Sequence, residues 1–286
     1  MVKKLLLPLC LLCILFNSCK YDLYSAFYRA NNTDARTKSC HKLLPEASPD
    51  ATLDTYSVAV FSDIHFGAKN SIRHEEAFLA WLQECKDEGN CPEFCICLGD
   101  IAEHGLKKEF EDYNAFVKKV ETLLGDGKVY SVLGNHDLFN NGWQHYHSMV
   151  FPYESFYSFK TQTFSWYCLD SASGSLGLKQ YEKLEKLFAA DPAPKIVMTH
   201  IPAYSNPFDS LGYFSSQNTY EADMLLTLYA KNNVKLVLNG HIHQPYTNDF
   251  NSFLEITVPG INETGRWSVI TVNEKKGTIS ETIISR

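Results

Sequence analysis

Five short groups of potential metal donors punctuate this chain: Asp63-Ile64-His65, Gly99-Asp100, Gly134-Asn135-His136-Asp137, His200 and Gly240-His241-Ile242-His243. They offer carboxylate, amide and imidazole donors and no thiolate, a set that suits Mn, Fe or Zn rather than a soft-metal or iron–sulfur site. Residues two apart in extended backbone can reach one ion, so Asp63 pairs with His65, and His241 with His243 unless a turn sends those two to different ions. Gly99, Gly134 and Gly240 each precede a donor, which allows backbone to approach a metal or take a positive φ. Singly the groups are weak signals, because Asp-x-His or Gly-Asp is most often a turn and a lone histidine after an apolar strand is most often structural. Together they are strong: in a chain of this composition Gly-Asn-His-Asp arises by chance in on the order of 10⁻³ cases, and Gly-His-x-His in on the order of 10⁻².

Each group stands just past a predicted strand, and the elements between them set the fold class. Tyr56 to Phe61 is β-branched and aromatic, Ile72 to Lys86 has apolar residues at helical spacing, and Glu93 to Leu98 reads as a second strand. A helix over Lys107 to Leu124 and a strand over Lys128 to Leu133 complete a β-α-β-α-β order, the pattern of a parallel sheet covered by helices. Further strands are expected at Ser155 to Phe159, Thr163 to Leu169, Lys195 to Thr199 and Val234 to Asn239, with helices at Leu178 to Ala190 and Tyr220 to Asn232. Short strands at Ser252 to Val258, Trp267 to Val272 and Gly277 to Ile284 close the chain, so one domain with two sheets and outer helices is expected over residues 55–286. Loops at the carboxyl ends of strands are where open α/β sheets collect ligands, so one pocket can gather all five groups.

With 286 residues, 45% hydrophobic and 21% charged, the composition is that of a globular domain. The net charge of −7 speaks against a nucleic-acid polymer as partner, because such binding rests on Lys and Arg neutralising phosphates. A small phosphorylated substrate remains compatible, since a bound metal supplies the positive charge. Residues 1–19 read as a signal peptide: Lys3 and Lys4 precede an apolar stretch, Leu5 to Phe16, too short to span a bilayer. The stretch ends in Leu15-Phe16-Asn17-Ser18-Cys19, which resembles a lipobox, so an exported envelope lipoprotein anchored through a lipid on Cys19 is expected, with plain secretion or an uncleaved anchor as alternatives. Residues 20–54 lack periodicity and read as a tether. Among the remaining cysteines, Cys95 and Cys97 alternate in an apolar strand and read as small buried groups, while Cys85 and Cys91 could pair across a loop.

The five groups, in this order, resemble the signature of the calcineurin-like metallophosphoesterase superfamily over roughly Thr55 to the C-terminus. The resemblance implies a four-layer αββα sandwich of two mixed sheets with two divalent ions at one rim. It assigns Asp63, His65 and His243 to the first ion, Asn135, His200 and His241 to the second, and Asp100 to both. It further implies hydrolysis of a phosphate mono- or diester by metal-activated hydroxide, with His136 as general acid. Glu103 and Asp137 join His136 as catalytic candidates. Glu103 occupies the place where some relatives carry a residue orienting the catalytic histidine; a solvated carboxylate at a helix start is the equal alternative. His104 stands where protein-phosphatase relatives carry a phosphate-binding Arg, and no Tyr stands at Glu103 as in purple acid phosphatases, so both branches fit poorly.

Ser165 to Ser171, Gly174-Ser175-Leu176 and Gln180 resemble the mid-section of class III cyclic-nucleotide phosphodiesterases and their bacterial relatives, although core strand and turn residues alone would read the same way. The aromatic stretch Asn140 to Tyr157 either walls a substrate pocket or packs between the sheets. His145 and His147 lack carboxylate partners and read as polar pocket or surface residues. A superfamily member that has lost catalysis and serves as a tethered binding module is the functional alternative, and it would show missing donors or a replaced His136.

Overall fold

The computed structural model describes residues 33–49, 52–69, 71–125, 128–204 and 219–286. The chain opens with α1 (Thr33–Arg36) and β1 (His41–Lys42), followed by β2 (Thr55–Phe61), α2 (Ser71–Glu88), β3 (Phe94–Cys97), α3 (Lys107–Leu124), β4 (Val129–Ser131) and α4 (Gly142–Met149). The second half runs β5 (Tyr157–Lys160), β6 (Ser165–Cys168), α5 (Gly177–Ala190), β7 (Lys195–Met198), α6 (Thr219–Lys231), β8 (Val234–Asn239), β9 (Tyr246–Asp249), β10 (Leu254–Thr257), α7 (Ile261–Thr264), β11 (Arg266–Asn273) and β12 (Thr278–Ser285). One sheet has the order β12-β11-β2-β3-β4, and the other β1-β5-β6-β7-β8-β10-β9. Both are mixed: β2, β3 and β4 are parallel with an antiparallel β11-β12 edge, while β6, β7, β8 and β10 are parallel, β5 is antiparallel to β6 and parallel to β1, and β9 is antiparallel to β10.

Three apolar layers hold the two sheets and the helices together. Between the sheets, Val58, Val60, Phe94 and Ile96 meet Trp166, Ile196, Met198 and Leu238. Outside the five-stranded sheet, Ala59, Phe61, Cys95 and Cys97 meet Phe78 and Leu82 of α2 and Phe110, Phe116 and Val120 of α3. Outside the seven-stranded sheet, Tyr167, Val197 and Val237 meet Leu184 and Phe188 of α5 and Leu225 and Tyr229 of α6. The result is the helix, sheet, sheet, helix sandwich expected from the alternation of strands and helices. The spacing of Phe110, Tyr113, Phe116 and Val120 puts one buried stripe on α3, so the helix turns its charged residues to solvent. Its start is fixed by Glu109, whose Oε2 accepts the backbone N–H groups of His104 (3.0 Å) and Leu106 (2.9 Å).

The folded body begins earlier than the sequence suggests. Residues 33–49, expected as tether, carry α1 and a strand that pairs in parallel with β5. Arg36 is buried there, its Nε 2.7 Å and its Nη2 3.1 Å from the two carboxylate oxygens of Asp170. Composition hid this because the segment is held by long-range polar contacts and strand pairing rather than by a periodic apolar face. The expected signal peptide, Cys19 and the first part of the tether lie outside the described residues. Among the described residues no helix is long and apolar enough to cross a membrane, and all six cysteines are free thiols, so Cys85 and Cys91 form no disulfide.

Candidate metal centre

All five donor groups meet at one rim. Asp63 and His65 follow β2, Asp100 follows β3 and Asn135 to Asp137 follow β4, all from the five-stranded sheet, while His200 follows β7 and His241 and His243 follow β8 in the other. The pocket therefore bridges the carboxyl ends of parallel strands in both sheets. Backbone hydrogen bonds fasten the loops: Asp63 N–H donates to Gly99 O, His65 N–H to Asp100 O, and Gly240 N–H to His200 O, each at 3.0 Å. Five donors take left-handed backbone: Asp63 (φ 55°), His65 (49°), Asp100 (48°), His241 (69°) and His243 (62°). Such conformations cost of order 1–3 kcal/mol each for residues other than glycine and gather where function requires a fixed geometry. Two glycines permit close passage, since a Cβ at Gly134 would lie 2.0 Å from the Asp100 nitrogen and one at Gly240 1.8 Å from Ser62 Oγ.

The side chains fall into two groups. Asp63, His65 and His243 form one, and Asp100, His200 and His241 form another, with donor atoms in each within 4.8 Å of one another. The turn at Ile242 thus sends His241 and His243 to different groups. Asp63 Oδ1 lies 3.2 Å from His243 Nε2 and 4.0 Å from His65 Nε2. Asp100 Oδ2 stands between the groups, 3.8 Å from His65 Nε2 and 3.3 Å from His200 Nε2, and Asn135 Oδ1 is 3.0 Å from the same His200 nitrogen. A third combination, His65 with Glu103 and His136, shares His65 with the first.

Electrostatics and tautomers suit a cation. Asp63 Oδ1 and both ring nitrogens of His65 are buried without an aligned hydrogen-bond partner, although charged groups stand close by. Orphaned buried donors are costly unless a ligand satisfies them. His200 Nδ1–H donates to the Leu98 carbonyl at 2.8 Å, which leaves Nε2 as the atom beside Asp100 and Asn135, and His136 Nδ1–H donates to the Glu103 carbonyl at 2.8 Å, which leaves its own Nε2 without that bond. Burial acts to lower the pKa of His200, but the Asp100 carboxylate beside it carries it up to about 9; for His243, burial is likewise overridden by Asp63, again to about 9. Burial alone would raise Asp63 and Asp100; the imidazoles of His243 and His200 hold Asp63 low, and His200 holds Asp100 low. Cation binding here requires release of the imidazole protons. With those protons gone, the donor set fits two divalent ions.

The other candidates separate by contact. Asp137 is fully buried, with Oδ1 accepting the Ala102 N–H and Oδ2 the Gly134 N–H, both at 2.8 Å. Its oxygens tie the Asp100 loop to the Asn135 loop, so the catalytic expectation for Asp137 gives way to a positioning role. Glu103 Oε2 stands 2.8 Å from His65 Nδ1, so its carboxylate backs His65, while its backbone carbonyl accepts the hydrogen bond from His136. His104 is exposed beside Glu109. In the aromatic stretch Tyr146, Phe156 and Tyr157 are buried, and Tyr146 and Tyr157 donate to the Ser131 carbonyl at 2.8 and 3.0 Å, so this part packs beneath β4 rather than walling a pocket. His147 stacks on Trp143 with ring centroids 5.0 Å apart. Ser171, in the Leu169-Asp170-Ser171 turn, accepts the backbone N–H groups of His200 (3.2 Å) and Ile201 (2.8 Å) and so holds a donor loop in place. No pattern of residues marks Glu263, whose Oε1 lies 3.0 Å from His243 Nδ1, because it sits outside every donor group on a four-residue helix.

The profile of the calcineurin-like phosphoesterases matches residues 56–245, and the chain belongs to that family. It is a phosphoester hydrolase; the family is binuclear and metal-dependent, and this chain carries candidate metal-ligand groups. No curated protein sequence matches the chain. Among solved structures it is similar to a dimetal phosphatase from Danio rerio (TM-score 0.57, 13% identity, covering 80% of this chain and 98% of that one). It is also similar to GAP50, the anchor in the inner membrane complex of Plasmodium (0.57, 17%, 81% and 89%). A third is purple acid phosphatase PPD1 from yellow lupin, Lupinus luteus (0.55, 14%, 84% and 55%). At these identities the likeness is one of fold.

Proposed function

We propose that this protein hydrolyses a phosphate mono- or diester at two divalent ions, the first held by Asp63, His65 and His243, the second by Asn135, His200 and His241, with Asp100 shared. The observation that carries the reading is the placement of Asp100 Oδ2, 3.8 Å from His65 and 3.3 Å from His200, between two donor groups, the first of which holds buried atoms without an aligned hydrogen-bond partner. When bound, an ion pair supplies charge neutralisation for the phosphoryl oxygens and an acidified water. The protein's own contribution is geometric and protic. Asp137 and the backbone bonds between loops hold the donors, while Asp63 and Asp100 supply the negative charge that retains the ions.

His136 carries the proton for the leaving oxygen. Its Nδ1–H is fixed on the Glu103 carbonyl, and its backbone N–H donates to Asp100 Oδ1 at 2.8 Å, so Nε2 is the atom free to deliver it. A catalytically silent binding module is disfavoured by the completeness of the set, since every donor and His136 are present. Export and anchoring through Cys19 are part of the proposal and rest on Lys3, Lys4, the apolar stretch and the Ser18-Cys19 pair. The test is turnover of aryl phosphate mono- and diesters by the purified protein with Mn²⁺ and after chelation. Metal-dependent release of the aryl alcohol supports the reading, and equal rates with and without metal refute it.

A further inference from the structure

What stands behind His200 differs from what stands behind His65 and His243. In the second donor group, His200 rests its Nδ1–H on a backbone carbonyl, Leu98 O, at 2.8 Å. In the first, both histidines are backed by carboxylates: Glu103 Oε2 lies 2.8 Å from His65 Nδ1, and Glu263 Oε1 lies 3.0 Å from His243 Nδ1. A carboxylate behind a metal-ligating imidazole fixes its tautomer and raises its basicity more than a neutral carbonyl does.

Glu263 is also placed with care. Its helix, α7, is clamped to the donor loops by three backbone bonds: Gly260 N–H to His243 O at 3.1 Å, Ile261 N–H to Ser62 O at 2.9 Å and Asn262 N–H to Asp63 O at 3.3 Å. Ser62 and Gly260 form an isolated β-bridge as well. The segment therefore grips the loops of both Asp63 and His243 while presenting its carboxylate to the ring of His243. It lies beyond residues 56–245, the span that the family profile matches, so no family motif assigns it.

We propose that Glu263 is a positioning residue for the first ion site. It holds the His243 ring with Nε2 toward Asp63, as Glu103 stands behind His65, so that both histidines of the first site are carboxylate-backed. This rests on the two-ion reading above. With its side chain 58% exposed, Glu263 can be replaced without opening a cavity in the core.

The test is a Mn²⁺ titration of the full chain, read by electron paramagnetic resonance, which separates coupled ion pairs from single ions. The wild type is expected to reach two ions per chain with a coupled signal. Glu263→Ala is expected to weaken one ion by about 10- to 100-fold and leave the other unchanged, so that a single-ion signal appears at concentrations that couple the wild type. Glu263→Gln, which keeps an acceptor oxygen without the charge, is expected to fall between them. Wild-type occupancy in Glu263→Ala, or equal weakening of both ions, would overturn the assignment. A wild type that binds no ion would sink the two-ion reading itself, a separate outcome.

Discussion

Two clusters of buried charge sit on this scaffold, and they are built on opposite plans. Around Arg36 the charges are closed on themselves: the guanidinium meets both oxygens of Asp170, Ser173 Oγ stands 3.0 Å from Nη2, and the side chains are 2% and 0% exposed. Around Asp63 and Asp100 the charges are left open, with Asp63 Oδ1 and the nitrogens of His65 lacking an aligned hydrogen bond and five donors in left-handed backbone. A closed cluster contributes to the fold and asks for nothing more. An open one is held in an unfavourable state by the surrounding structure, and that cost is recovered when something binds.

Perturbing each cluster should therefore give opposite signatures. The largest effect is expected from Asp100→Asn, which removes charge between the two donor groups; ion occupancy and turnover should fall together, turnover by ~10³-fold or more if several kcal/mol of charge stabilisation go. Parallel metal analysis and initial rates check it, and a variant that keeps both would break the comparison at its centre. His136→Ala should retain its ions yet lose about 10²- to 10⁴-fold in turnover of esters with poor leaving groups, and much less with a good one. A leaving-group series measures this, and an equal loss across the series would remove His136 from the proton-donor role.

On the closed side, Arg36→Leu leaves Asp170 buried and unpaired, which should cost about 3–5 kcal/mol in a denaturant melt while the folded fraction binds ions as before. Loss of ions in the folded fraction would mean that the clasp and the metal centre are one unit. The smallest effect concerns pH. Glu255, buried against the Ala203 N–H and the Asn239 amide, has its pKa pushed by burial up to about 7. A carboxyl raised in the folded state binds more protons there than when unfolded, so its contribution is full below about 4.5 and is lost as pH rises through about 7, on the order of 3 kcal/mol at most. Glu255→Gln should flatten that part of the stability profile between those pH values; an unchanged slope would show that Glu255 does not set it.

What could be read beforehand was whatever rested on short-range pattern. Period-two and helical spacing located β2, α2, β3, α3 and β8, and the donor groups stood at strand ends because Gly-Asp, Gly-Asn-His-Asp and Gly-His-x-His interrupt apolar runs. What escaped notice depends on distant partners. β9 has an alternately exposed, polar sequence and is a strand only because β10 supplies its ladder. Residues 33–49 are held by partners far along the chain, Asp170 against Arg36 and β5 against β1. Asp137 looks catalytic beside His136, and only its two backbone donors reveal a brace. Glu263 became visible once α7 was seen lying on the Asp63 loop.

The most direct test of the central claim is to locate the ions. Anomalous scattering from crystals grown with Mn²⁺ should give two peaks, one among Asp63, His65 and His243, the other among Asn135, His200 and His241, with Asp100 between them. No peak at this rim, or a lone peak among His65, Glu103 and His136, would contradict the account.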